Sequence, residues 1–246
     1  MKTKIYCVKT DPGKVRSSNE DSACIVENKS GDLFLMVLDG MGGHCRGDAA
    51  SHLAMEIISD KMLNTDRFCS FNSMKKTILK TIKKANEEVN LLGSSKLEYL
   101  DMGTTLCMVA IRKDQTLLCN VGDSRCYIMT EGQLCQVSED QTYVQFLYKT
   151  GKIKKEEIEN HPKKHVLMNA LGTYPSLSVV TSEITTSYDA ILLCSDGLYN
   201  MLSDQEMEDI LNIQTISTSD KIEMLIDKAN KKGGKDNIAV VLMEDR

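Results

Sequence analysis

Two stretches of this chain drive an unbroken apolar run into an aspartate and then turn on a glycine. Leu33–Leu38 (LFLMVL) ends at Asp39-Gly40, and Ala190–Cys194 (AILLC) ends at Ser195-Asp196-Gly197. Apolar runs this short, bounded by turn residues, fit buried strands. Aspartate is a poor strand residue, so something must compensate for it at each strand end. Asp-Gly turn chemistry is one answer. The other is a shared ligand, because Asp123 follows Gly122 between two strand patterns and Asp236 precedes the apolar run Ile238–Met243. Four aspartates at four strand ends can converge at one edge of a sheet assembly. Both answers stand open at this level.

The remaining pattern shows what carries those strand ends. Thr104–Ile111 and Gln115–Val121 flank the turn Arg112-Lys113-Asp114, and Arg125–Met129 and Gln133–Val137 flank Thr130-Glu131-Gly132. Consecutive hairpins imply antiparallel pairing, since parallel strands need a long crossover. Met74, Ile78, Leu79, Ile82, Ala85, Val89 and Leu92 form one helical stripe, and Ala49, Leu53, Ile57 and Ile58 form another within residues 48–62. Ser203 to Glu206 reads as a capping box opening a helix through Ile210, and Ile222, Leu225, Ile226 and Ala229 mark one more. Strands in hairpins with helices in separate blocks indicate an α+β layered domain rather than a doubly wound sheet. No repeat, low-complexity segment or Pro/Gly/Ser linker divides the 246 residues, so residues 1–246 read as one domain.

Composition narrows the class. Thirty basic against 35 acidic residues give a net charge of −5, which does not point to nucleic acid. The nine cysteines form no C-x-x-C pair and mostly sit in apolar runs. They read as reduced, buried thiols of a cytoplasmic protein rather than a disulfide framework or zinc site. The N-terminal segment reaches charged residues before any apolar stretch, unlike a signal peptide, and no run has the roughly 18 apolar residues of a membrane helix.

A cluster of carboxylates in a partly buried site must take up protons or cations. Oxygen-only donors favour Mg²⁺ or Mn²⁺ over zinc. Two such ions make a nucleophile of water near neutral pH and clamp a phosphoryl group for in-line displacement. The chain has no G-x-S-x-G elbow, C-x₅-R loop or Walker A motif that would offer another phosphate chemistry.

Six segments in order resemble the motifs of PP2C-type (PPM) phosphatases. They are Gly13–Ser22 (GKVRSSNEDS), Val37–His44 (VLDGMGGH), Met102–Thr105 (MGTT), Val121–Arg125 (VGDSR), Ser195–Leu198 (SDGL) and Lys235–Ile238 (KDNI). The resemblance implies a metal-dependent serine/threonine protein phosphatase of bacterial type. Its fold would be a central sandwich of two antiparallel sheets with helix pairs on both outer faces. By the same resemblance, Asp39 bridges two Mn²⁺ or Mg²⁺ ions and orients the attacking water, with the Gly40 carbonyl a further ligand. Glu20 reaches one ion, Asp196 and Asp236 hold the other, and Asp123 with Asp196 marks the place of a third, weaker ion. Asp21 and Asn237 support the site from behind, and Arg16 holds the substrate phosphate. Implied partners are phosphorylated proteins, substrates of a serine/threonine kinase and the kinase itself, acted on by a monomer.

The resemblance also has gaps. Where many eukaryotic relatives carry a histidine proposed as the general acid, this chain has Met41, which cannot donate a proton. His44 reads as a turn residue rather than as that acid. The segment 140–171 resembles a flap beside the metal cleft, with a short helix pattern at Lys154–Ile158. Its lysines read either as a solvated face balanced by Glu156, Glu157 and Glu159, or as an attractant for phosphorylated segments. His161 and His165 are assigned no ligand role. The alternatives to a protein phosphatase are a binding-only homologue, which the full carboxylate set argues against, and a hydrolase of small phosphoesters.

Overall fold

The computed structural model describes residues 3–42 and 46–245. Its first half runs through β1 (Lys4–Asp11), β2 (Ser22–Glu27), β3 (Leu33–Leu38), the two-residue β4 (Gly40–Met41), α1 (Gly47–Leu63) and α2 (Phe71–Ser95). There follow β5 (Gly103–Thr104), β6 (Leu106–Arg112), β7 (Gln115–Val121), β8 (Arg125–Thr130), β9 (Gln133–Gln136) and α3 (Tyr143–Lys149). The last part holds β10 (Val180–Ile184), β11 (Ala190–Cys194), α4 (Asp196–Tyr199), α5 (Asp204–Leu211), α6 (Thr218–Lys231) and β12 (Ile238–Asp245).

Two five-stranded antiparallel sheets form the centre, in the orders β1-β12-β11-β8-β9 and β10-β7-β6-β3-β2, and β4 pairs with β5 beside them. The unbroken apolar runs are explained by burial on both faces. Leu33, Leu35 and Val37 of β3 join Ile191 and Leu193 of β11 between the sheets. The alternate residues Phe34, Met36 and Leu38 pack outward under α1 and α2. Ala190, Leu192 and Cys194 pack outward under α5 and α6 on the opposite face. Period-two alternation therefore divides these strands between two cores instead of between core and water. The architecture is the α+β sandwich with helix pairs on both outer faces.

Local chemistry shapes the connections. Lys113 (φ 54°), Glu131 (φ 52°) and Gly132 (φ 77°) take the left-handed backbone that tight hairpin turns need. Ser203 caps α5 in a full capping box with Glu206. One charge pair is sealed in the interior. Lys221 of α6 is fully buried and donates to Glu244 Oε1 of β12 at 2.8 Å and to the Leu211 carbonyl. Thr218 donates to the second oxygen of Glu244.

Several sequence expectations change. The strand expected over residues 104–111 breaks at Thr105, which turns toward Asp39 instead of continuing the ladder. The helix pattern at Lys154–Ile158 yields only a 3₁₀ turn at Lys155–Glu157, where the Glu157 carboxylate accepts from the Lys154 backbone N–H. The true helix of that segment is α3, capped by Thr142. Cys69 and Cys135 are exposed, while Cys107, Cys119, Cys126 and Cys194 are buried, so burial holds for only part of the thiol set. His44 lies outside the described residues. Among the described residues no helix is long and apolar enough to cross a membrane.

Candidate active site

Antiparallel pairing decides where the aspartates go. The end of β3 lies beside the start of β6, and the end of β7 lies on that same side. In the other sheet the end of β11 lies beside the start of β12. Asp39, Asp123, Asp196 and Asp236 therefore meet at one edge of the sandwich, two from each sheet. They line a cleft of about 530 Å³ together with Arg16, Glu20 and His165.

Each carboxylate is held by its own local structure. The Asp39 N–H donates to Thr105 Oγ1 (2.9 Å), and its carbonyl accepts from the Thr105 N–H (2.9 Å) and the Thr104 hydroxyl (3.0 Å). These bonds fix the backbone and leave the Asp39 carboxylate facing the cleft. Gly40 admits no side chain, since a Cβ there would collide with the carbonyls of Glu20 and Gly47. That close approach brings the Glu20 segment against the Asp39 turn. Asp196 opens α4 and accepts from Asn200 Nδ2 at 3.0 Å. Asp236 accepts the Asn237 N–H on one oxygen and Arg16 Nη2 on the other, both at 2.9 Å.

Behind these groups stand the residues that brace them. Asn237 accepts from the Glu20 N–H at 2.8 Å and donates to the carbonyls of Pro12 (2.9 Å) and Ser18 (2.8 Å), so one side chain ties three segments together. Asp21 is buried and accepts from Ser195 Oγ at 2.6 Å, and Ser195 in turn accepts from the Ala239 N–H. Asp123 is braced from further away. Its carbonyl accepts from Tyr199 O–H (3.1 Å), and the Tyr199 ring lies 3.7 Å beneath the Arg125 guanidinium. Arg125 grips both oxygens of Asp140, with Nη2–Oδ2 at 2.7 Å.

The electrostatics are those of crowded anions. Burial, reinforced by Asp21, Asp196, Asp123 and Asp236, pushes Asp39 well above the usual carboxylate range. Burial, against the lowering effect of the Ser195 bond and together with Asp196, Asp236 and Glu20, pushes Asp21 up to about 8, and burial with Asp196 and Asp140 pushes Asp123 up to about 7. Asp196 is raised by burial and Asp236, against the opposing effects of His165 and a hydrogen bond with Asp39. Glu20 is raised by burial and by Asp48, against the pull of Arg16. Asp48 also carries a buried carboxylate oxygen with no hydrogen-bond partner among the described residues.

This donor set fits hard divalent ions. It is all oxygen, rich in negative charge and held on rigid strand ends. Among the described residues no three acidic, histidine or cysteine groups form a ready-made cage.

All nine sequence-derived site residues gather here, with Arg16 bound to Asp236 instead of standing free. Sequence reasoning missed Thr105, Ser195, Tyr199 and the Arg125–Asp140 clasp, which depend on tertiary pairing. His165, to which the sequence assigns no ligand role, lines the cleft from the segment between β9 and β10.

The family model for protein phosphatase 2C matches residues 14–242. The chain is 40% identical over 237 residues to the serine/threonine phosphatase stp of Listeria welshimeri, covering 96% of this chain and 94% of that one. It is 34% identical over 238 residues to protein phosphatase PhpP of Streptococcus pneumoniae, covering 95% and 94% of the two chains. Among solved structures, the S. agalactiae serine/threonine phosphatase superposes with a TM-score of 0.93 at 32% identity, covering 99% and 100%. The Mycobacterium tuberculosis serine/threonine phosphatase PstP/Ppp superposes with a TM-score of 0.87 at 28% identity, covering 99% of each chain.

Proposed function

Because this chain belongs to the protein phosphatase 2C family of metal-dependent serine/threonine phosphatases, we propose that its four strand-end aspartates, with Glu20 and the Gly40 carbonyl, hold the ions for hydrolysis of phosphoserine and phosphothreonine in proteins. In this reading Asp39 would be shared by two ions, with Glu20 and the Gly40 carbonyl holding one and Asp196 and Asp236 the other. Asp123, with Asp196, would hold a third, weaker ion. The ions are Mn²⁺ or Mg²⁺, and when bound they activate water for attack on phosphorus and offset the phosphoryl charge.

The chain's own residues supply position and field. Arg16, held by Asp236 in the resting cleft, has the planar fork that meets two phosphate oxygens. Asp21, Ser195 and Asn237 keep the strand ends in register so that the donors need not reorganise. His165 is the cleft's imidazole, within electrostatic reach of Asp196. The segment 140–171 forms a flap over this edge, tied down by the Gln141 N–H to the Gly122 carbonyl at 2.9 Å and by the Leu171–Thr104 bridge. The protein acts as a monomer on substrates of a serine/threonine kinase, the kinase itself included.

The observation that carries this reading is the convergence of four aspartates from two sheets on one cleft without a lysine or arginine for each. Purified protein with Mn²⁺ hydrolyses an aryl phosphate and a phosphothreonine peptide, and EDTA stops both. Absence of turnover with metal demonstrably bound, for example by calorimetry, would replace the enzyme with a binding-only homologue.

A further inference from the structure

A second concavity, of about 340 Å³, runs off the cleft and shares Met41 and Leu167 with it as common walls. Met41 directly follows Gly40 and walls both concavities, so the groove opens beside a phosphorylated side chain seated over Gly40. An extended substrate advances about 3.3–3.6 Å per residue, which brings the first or second neighbour of that side chain to it.

The groove has two characters. Buried Met102 and the exposed side chains of Leu100, Met168 and Tyr174 give it apolar walls, and Asn90, Ser94, Asn169 and Thr173 add neutral polar ones. Methionines adapt their shape to a long unbranched stem. Asp101 is the one charged side chain among the described residues that line it. The cations of the same neighbourhood are engaged elsewhere, since Lys96 and Arg46 face Glu98 at 3.9 and 3.8 Å and both lie by the Tyr99 ring. A groove with apolar walls, neutral polar groups and a single carboxylate matches a side chain with a hydrocarbon stem and a cationic head. A leucine would meet the apolar walls but offer nothing to the exposed Asp101 carboxylate.

We propose that this groove is a subsite for an arginine or lysine one or two positions from the phosphorylated residue of the substrate. Its stem lies along Met102, Met168 and Leu167, and its charge meets Asp101, with Tyr174 offering an aromatic face. The proposal rests on the phosphatase reading above and names the substrate class that reading leaves open.

The test uses phosphothreonine peptides that carry Arg, Leu or Ala at each of the two positions on either side of the phosphothreonine. They are assayed with Mn²⁺ against the wild type and Asp101→Asn. Asparagine tolerates the left-handed backbone of residue 101 (φ 62°), so the variant keeps the turn. At one position kcat/KM for the Arg peptide exceeds that for the Ala peptide about three- to tenfold, and Asp101→Asn brings the ratio toward about 1. A Leu peptide preferred over the Arg peptide, with Asp101→Asn indifferent, overturns the proposal, as does equal turnover of all three at every position. Turnover of an aryl phosphate by the wild type reports on the metal centre separately. Its absence would overturn the phosphatase reading and this subsite with it.

Discussion

The molecule buries charge in two places and treats it in opposite ways. Between α6 and β12, the Lys221 ammonium meets Glu244 at 2.8 Å, and the Leu211 carbonyl and Thr218 hydroxyl complete the shell. At the sandwich edge, Asp39, Asp123 and Asp196 lie near one another with Arg16 bonded to Asp236 alone. The first region is closed on itself. The second is left with excess negative charge, which the raised affinities of Asp39 and Asp123 for protons express. A charge neutralised within the chain supports the fold, while one left over recruits something from solution.

The comparison makes contrary predictions for its two halves. The largest effect belongs to the closed pair. Lys221→Met removes the cation facing a buried carboxylate and lowers stability by about 3–5 kcal/mol in urea unfolding, with turnover per folded molecule retained. Adding Glu244→Leu recovers most of that loss, and a double variant as unstable as the single one would break the analysis of the pair. At the open edge the signs reverse. Asp39→Asn lowers kcat about 10²–10³-fold, yet raises the melting temperature of the metal-free protein by removing one of the repelling anions. Unchanged turnover would remove Asp39 from the centre of the site.

Acidity sharpens the same point. An acid whose affinity for protons is raised by folding binds more protons in the native than in the unfolded state, so stability falls as pH rises through that window. For Asp123 and Asp21 the window runs from the ordinary aspartate range up to about 7 and about 8. In EDTA the melting temperature therefore rises as pH falls from 8 to 6, and saturating Mn²⁺ flattens this dependence because ions replace the protons. A metal-free melting temperature that fell over this range would contradict the crowded-anion description. The smallest expected effect is that of Arg16→Ala, about a tenfold rise in phosphopeptide KM with kcat nearly kept.

The central strands were legible because their residues are apolar on both faces, and Asp39 and Asp196 stood out as polar interruptions of such runs. The edge strands β1 and β10 were not. Lys4–Asp11 and Val180–Ile184 are largely exposed, so neither carries a core pattern. Tyr143–Lys149 is too short for a helical stripe to emerge. The aspartates, Glu20 and Arg16 were legible through ordered motifs, with spacing alone leaving turn chemistry open for each. The clasp of Arg125, Asp140 and Tyr199 could not be read, because its members meet only after β7, β8 and α4 pack. His165 sits in a stretch without periodicity, and nothing local announces that it reaches the cleft.

Strand β12 lies between β1 and β11, although it is the last of the three to be synthesised. A nascent chain that has emerged from the ribosome through Cys194 already contains Asp39 and Asp123 but lacks the strand that joins its first and eleventh strands. Asp236 arrives only at the threshold of that strand. Chain order thus puts the strand that joins β1 to β11 after both of them, and the set of four aspartates is complete only once the chain has reached that strand.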